Sequence, residues 1–194
     1  MTICGTDDDR TEDRTLTSQH SWPVLLGLAI KAKYELLRLD SEQQWETLPR
    51  VKNTDAAIQQ FEYERRLTIP SDYRDFLLHA DGWEGCFFDL GLFGLSELRG
   101  AENGMPALEL LRRYTNNGTL RDSGIVADEV LPIVAGPVEH LVLMVHSGAR
   151  AGRVIWFDGG AERTAYPDFA DFFEDLLGIM QDRVEQLTPG ERPR

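Results

Sequence analysis

The sequence is short of the residues that most often hold metals or disulfides, with two cysteines and four histidines among 194 residues. The spacing of Cys4 and Cys86 is not that of a disulfide framework or a zinc knuckle. His140 and His146 would share one face of a strand, but they would lie about 20 Å apart, too far for one ion. We therefore expect no metal centre and no disulfide scaffold.

Basic residues are also scarce. The chain has 20 Lys and Arg against 33 Asp and Glu, a formal net charge of −13. This charge repels phosphate backbones and anionic lipid, so nucleic acid and membranes are poor partners. A basic protein would be attracted and its encounter accelerated. A purely solubilising role for the acidity stays open beside this interpretation.

Long hydrophobic runs are missing as well. The longest, Val24 to Ile30, is far too short to span a bilayer. The start of the chain reads Met1-Thr-Ile-Cys-Gly and then carries five acidic residues between positions 7 and 13, whereas a secretory signal has a basic start and an apolar core. We expect a cytoplasmic protein whose two thiols are free.

Catalytic motifs are absent in the same way. The sequence contains no phosphate-binding loop, dinucleotide fingerprint or nucleophile elbow. Acidic pairs such as Glu174-Asp175 are better explained as solvated faces than as hydrolytic carboxylates. We therefore assign no catalytic residue, metal ligand or cofactor, and a binding protein is favoured over an enzyme.

Composition and hydrophobic periodicity divide the chain into four parts. Residues 1–21 are polar and are predicted to form a disordered acidic tail. Residues 22–53 are predicted to be an N-terminal helical extension, with a break at Asp40-Ser41. A folded domain follows over 54–187, and 188–194 form a C-terminal tail. The leucines at helical spacing in the extension are Leu25, Leu28, Leu36 and Leu39.

The segment from Thr54 to Gly82 has the clearest pattern, and it predicts two helices joined at a proline. Thr54 is placed to cap a helix running to about Leu67. Pro70 separates it from a second helix, which Ser71 is predicted to cap, and Gly82 ends that helix in a left-handed conformation. The apolar face of the second helix consists of Tyr73, Phe76, Leu77 and Ala80.

Strands dominate the second half of the sequence. Val130–Ala135 and Glu139–His146 are rich in Val, Ile and Leu, and the Gly136-Pro137 link is too short for a crossover helix, so they are predicted to pair antiparallel. Arg153–Asp158 is a further strand, and Pro167–Leu187 is a helix with an unbroken apolar stripe. This order indicates an α+β fold with an antiparallel-rich sheet covered by helices.

Several motifs carry a family resemblance. They are Ile58-Gln-Gln-Phe61-Glu62, Leu67-Thr-Ile69-Pro70-Ser-Asp72-Tyr73-Arg74-Asp75-Phe76-Leu77, Asp81-Gly82-Trp83, Val130-Leu-Pro-Ile-Val134 and Val154-Ile-Trp-Phe-Asp158. In this order and spacing they resemble the SUKH superfamily, also called the Smi–Knr family, over roughly Thr54 to Leu177. Ile69 stands for the leucine of the family pattern and Asp81 for its asparagine. The motif residues with a structural role are Ile69, Pro70, Tyr73, Phe76, Leu77 and Gly82.

The resemblance implies a SUKH-like fold and a cytosolic binding role. Bacterial members are commonly immunity proteins, which bind and neutralise toxins exchanged between competing cells, and many of these toxins are nucleases. We therefore expect an immunity protein whose partner is a basic toxin domain. The alternative is a regulatory or scaffold protein without a toxin partner, as among the fungal members.

Asp81, Trp83 and Glu84 are the candidate partner-binding residues. Tryptophan is enriched in binding hot spots, and the two flanking acids would suit a basic partner. The other interpretation of Trp83 is a core tryptophan at a helix end, and it is favoured because large aromatic side chains are usually well buried.

Overall fold

The computed structural model describes residues 21–40, 46–136 and 139–188. Its α-helices are α1 Trp22–Leu39, α2 Asp55–Arg65, α3 Ser71–Leu77, α4 Leu95–Leu98, α5 Met105–Asn116, α6 Thr119–Asp122 and α7 Phe169–Leu187. Its strands are β1 Trp83–Phe87, β2 Leu90–Leu92, β3 Val130–Ala135, β4 Leu141–Val145, β5 Val154–Asp158 and β6 Ala161–Tyr166. The predicted tails, except Ser21 and Thr188, lie outside the described residues, as do Ser41 and Pro137.

The strands form one sheet in which every neighbour is the next strand along the chain. Its order is β1-β2-β3-β4-β5-β6, and all five pairings are antiparallel. This confirms the predicted α+β fold and the predicted pairing of β3 with β4. The turns of the β1–β2, β3–β4 and β5–β6 hairpins consequently gather at one end of the sheet.

Helices cover both faces of the sheet. Adjacent residues of β5 point to opposite sides, as strand geometry requires. The Trp156 ring contacts Phe172 of α7, whereas the Phe157 ring contacts Tyr114 of α5. The core therefore lies in two layers, with α7 on one face of the sheet and α5 on the other. No helix in the described part of the chain has the length and apolarity needed to cross a membrane.

The two helices joined at a proline are present, with small shifts at their ends. The Thr54 hydroxyl accepts a hydrogen bond from Ala57 N, as predicted for a cap, and α2 ends at Arg65, two residues short of Leu67. The prediction that Ser71 caps α3 is wrong. The Pro70 carbonyl already accepts from Arg74 N at 2.9 Å, so the helix begins one residue earlier and Ser71 is its first residue.

The predicted apolar face of α3 lies in the core. Tyr73, Phe76, Leu77 and Ala80 are fully buried, and Ile69 is nearly so. The Tyr73 hydroxyl donates to the Phe93 carbonyl at 2.7 Å, which ties α3 to the end of the β1–β2 hairpin.

The helix α1 joins the same core. The Trp22 ring packs on Phe76 of α3 and on Phe169 and Phe173 of α7, with centroids 5.3 to 5.6 Å apart. Leu28 and Leu39, which the sequence placed at helical spacing with Leu25 and Leu36, do not belong to its buried face, because they are 41% and 39% exposed. The buried face runs along a different set of positions: Trp22, Leu25, Leu26, Ala29, Ala32, Lys33 and Leu36.

The helix α7 closes the fold. It begins at Phe169 and not at Pro167, because the Asp168 carboxylate caps it by accepting from Asp171 N at 2.9 Å. The phenylalanines of its stripe are buried, and Val184 and Leu187 at its far end are partly buried against the same core.

Candidate functional site

The predicted site residues lie where α3 passes into β1, and Asp81 organises this junction. Its carbonyl accepts from Arg50 Nε at 2.6 Å, and its carboxylate accepts from Leu95 N at 2.8 Å. Asp81 therefore joins the chain before α2 to the start of α4, and it is half-buried. These contacts make it a structural residue in this fold.

Gly82 has the predicted left-handed conformation, with φ at +77°. The prediction that it ends the second helix is wrong, because α3 stops at Leu77 and its C-cap Leu78 is right-handed. A Cβ atom at this position would lie 2.6 Å from both Gly94 N and the Leu92 carbonyl oxygen. Two stretches of backbone thus pass each other here at a distance that only glycine permits. This close approach brings β1, the end of β2 and the start of α4 together around Asp81.

Trp83 is a core tryptophan. It is 1% exposed, and its Nε1 donates to the Thr47 carbonyl and hydroxyl at 3.2 Å each. The Thr47 hydroxyl in turn donates to the Glu84 carbonyl at 2.6 Å. The interpretation of Trp83 as an exposed anchor therefore does not fit the structure, because burial removes its ring from a partner's reach. The Glu84 side chain, by contrast, is exposed.

An ion pair between Arg50 and Glu97 lies beside these residues. The guanidinium donates to both carboxylate oxygens, at 3.0 and 2.5 Å, and Glu97 also accepts from Gly94 N at 2.9 Å. The Glu97 side chain is only 6% exposed. Burial opposes its ionisation, but the bonds from Arg50 and Gly94 prevail and hold the pKa of Glu97 below its usual value.

An open pocket of about 270 Å³ adjoins this ion pair, and four carboxylates lie in its wall. Glu84, Asp89, Glu97 and Glu102 line it, and among the described residues of the lining Arg50 is the one basic side chain. Since Arg50 is committed to Glu97, the exposed carboxylates of Glu84 and Glu102 give the pocket a negative potential. We call this feature the acidic pocket. It can receive the side chain of a lysine or arginine.

Sequence reasoning found Glu84 but missed the rest of the acidic pocket. Arg50 and Glu97 are 47 positions apart, so no local pattern connects them. The one available signal was Glu97 three residues after Gly94, since a glutamate at this position of a helix start can accept from the capping residue's N–H. Among the described residues, no group of three or more His, Cys, Asp and Glu side chains is arranged to hold a metal ion.

The architecture and the proline-joined helices define an α+β protein of the SUKH type. The chain belongs to the SMI1 / KNR4 family (SUKH-1), whose family model matches residues 52–175. The matched segment contains α2, α3, the whole sheet and the acidic pocket except Arg50, and it confirms the resemblance seen in the motifs. No curated protein matches the chain.

Proposed function

We propose that the chain is a non-enzymatic binding protein of the cytoplasm. It neutralises a toxin by binding to the basic surface of the toxin domain. Membership of the SUKH-1 family supports a role in binding proteins. The acidic pocket is the observation that favours a basic partner, because it offers carboxylates at the mouth of a cavity the size of one long side chain.

The acids of the acidic pocket have different roles in this proposal. Glu97 is buried and paired with Arg50, so it shapes the wall and contributes little attraction. Glu84 and Glu102 are exposed, and their charges reach an approaching partner. Such charges accelerate encounter and set the register of a complex more than they raise its affinity.

The acidic pocket is one part of the proposed interface. A stable protein complex buries about 1,600 Å² of total surface, far more than one pocket supplies. The neighbouring exposed chain, including Leu48 and Val51, adds apolar area close to Arg50. A basic residue held in the acidic pocket and apolar contacts around it would together resemble a standard interface.

If the chain inhibits the toxin only by staying bound to it, inhibition is stoichiometric, and one copy of the chain cannot inactivate several toxin molecules in turn. One copy of the chain is then needed for each toxin molecule, and protection is lost when the toxin is in excess. A nuclease must attract phosphate, so its active face is basic and suits this surface.

Co-expression with the protein encoded beside this gene tests the proposal. We expect the neighbour to arrest growth alone and the intact chain to restore growth. The double substitution Glu84→Lys with Glu102→Lys should weaken binding of the chain to this toxic neighbour by about tenfold or more. Asp182→Lys with Glu185→Lys is the matched control, because it changes the same net charge at exposed positions of α7.

Three outcomes separate the possibilities. Loss of protection with the pocket variant alone supports the acidic pocket as the binding surface. Equal losses with both variants show that only net charge matters and refute the pocket. A neighbour that is harmless, or whose toxicity the intact chain does not change, refutes the immunity role and favours the regulatory or scaffold role known among fungal members.

A further inference from the structure

The hairpin between β1 and β2 has an unusual residue at its tip. Phe87 pairs with Leu90, so Phe88 and Asp89 form a two-residue loop. Phe88 has a φ of +48°, in the left-handed region that bulky side chains rarely adopt. Two-residue loops usually place glycine, asparagine or aspartate where φ is positive. The phenylalanine therefore costs conformational free energy that a glycine at this position would not.

The other residues with positive φ in the described part of the chain, glycines apart, are Arg66 and Glu139. Arg66 ends α2, where a left-handed residue is common. Glu139 lies between β3 and β4, and its carboxylate accepts from Arg113 at 2.6 Å. Phe88 is the apolar member of this group, and neither a helix end nor an ion pair accounts for it.

Phe88 is also exposed and rigidly supported. It is 41% exposed, and its ring packs edge-on against Phe87 with the centroids 4.5 Å apart. Phe87 is itself buried, so it holds the exposed ring in place, and little rotamer freedom remains to be lost when a partner binds. A rigid, exposed aromatic side chain at the tip of a hairpin has the properties of an interface anchor.

The second residue of the loop connects Phe88 to the acidic pocket. Asp89 is exposed and lies in the wall of that pocket together with Glu84 of β1. An aromatic side chain and a group of carboxylates thus belong to one continuous surface. A partner that fits this surface carries a basic side chain beside an apolar recess.

We propose that Phe88 is the apolar anchor of the toxin interface, and that its ring enters an apolar recess beside the lysine or arginine received by the acidic pocket. This inference rests on the proposed function and adds the residue that holds the complex together. Burial of the ring slows dissociation, whereas the exposed carboxylates mainly accelerate association. Strained residues cluster at binding sites, and an anchoring role explains why a strained phenylalanine stands here.

Binding kinetics with the protein encoded beside this gene, measured by surface plasmon resonance, test the anchor. Phe88→Asn removes the ring but keeps a residue that tolerates positive φ, and Phe88→Gly is a second variant that also relieves the strain. We expect both to raise the dissociation rate by about tenfold or more, equally at low and high salt. The double substitution Glu84→Lys with Glu102→Lys should instead lower the association rate, most strongly at low salt.

Two further variants serve as controls. Tyr63→Asn removes a ring that is 82% exposed on α2, and should leave both rates unchanged. Tyr63 lies beside His146, which follows β4 and is therefore at the opposite end of this strand from the hairpin turns. Phe88→Met keeps a large apolar side chain at the tip and should retain most of the affinity.

The outcomes separate this inference from the proposed function. A selective rise in the dissociation rate with the ring-deleting variants of Phe88 supports the anchor. Unchanged dissociation with both of them, or an equal rise with Tyr63→Asn, overturns the anchor and leaves the immunity role intact. A neighbour that does not bind the unchanged chain refutes the proposed function, and the anchor falls with it.

Discussion

The Glu97→Gln substitution tests the ion pair behind the acidic pocket. Glu97 accepts hydrogen bonds at both carboxylate oxygens, including two from Arg50 and one from Gly94 N. Glutamine has nearly the same shape but only one acceptor oxygen, and its amide N–H groups would face donors. The substitution therefore removes the charge and breaks at least one bond while keeping the volume.

The expected cost follows from burial. Removing one partner of a buried ion pair typically costs 3–5 kcal/mol. The Arg50 side chain is 34% exposed, so water can partly solvate the guanidinium once its partner is neutral. We therefore expect the low end of this range, about 3 kcal/mol of unfolding free energy at pH 7.

The cost should depend on pH in a defined direction. Because the folded chain holds the pKa of Glu97 below its usual value, the stabilisation is complete above the unfolded pKa of about 4.3. It is lost as the pH falls from there towards the folded pKa. Glutamine does not titrate, so the difference between the two proteins should be constant from pH 7 to about 5 and should shrink below that.

Urea unfolding followed by tryptophan fluorescence measures this difference. With a slope of about 2–3 kcal/mol per molar urea, the midpoint should fall by about 1 M at pH 7. Glu84→Gln makes the same chemical change at an exposed position and should change stability by less than about 0.5 kcal/mol. A midpoint shift as small as that of Glu84→Gln, or a difference that stays constant at acidic pH, would refute the reasoning.

Three further predictions concern the core and its turns. Gly82→Ala should destabilise the fold by about 2–4 kcal/mol, because its φ is positive and the added Cβ would overlap neighbouring backbone. The control Gly27→Ala lies in open space on α1 and should stabilise the fold by about 0.5–1 kcal/mol. Equal melting temperatures of the two variants would contradict this prediction. Tyr73→Phe should cost about 1–3 kcal/mol in urea unfolding, because the buried Phe93 carbonyl loses its donor; an unchanged midpoint would mean that another donor replaces it. Burial raises the pKa of Cys86 to about 12, so peptide mapping should find it unalkylated by iodoacetamide until urea unfolds the chain; rapid labelling of the folded chain would disprove its burial.

The fold was largely predictable because its strongest signals are local. The apolar positions of α3 recur at helical spacing, and burial of Tyr73 and Phe76 follows directly from that pattern. The strands β3 and β4 could be paired because the link between them is short. The errors lie at helix ends and on α1, where Leu28 and Leu39 follow a helical spacing but remain exposed, an outcome that only tertiary packing determines.

The candidate site was much less predictable. Glu84 could be selected because it is an acid beside Trp83, and tryptophan is enriched in binding hot spots. The Arg50–Glu97 pair depends on two segments that meet only after folding.

The packing of α1 on α7 has a consequence for synthesis. Trp22 packs against Phe169 and Phe173, yet about 130 residues separate α1 from α7, and at ribosomal speed that delay is on the order of ten seconds. During this time Phe76 of α3 can contact Trp22, but the part of the apolar face of α1 that packs on α7 stays exposed on the nascent chain. The packing of the first helix is thus completed by the last, and a translation product that stops before Phe169 leaves the side of Trp22 that faces α7 exposed to chaperones and proteases.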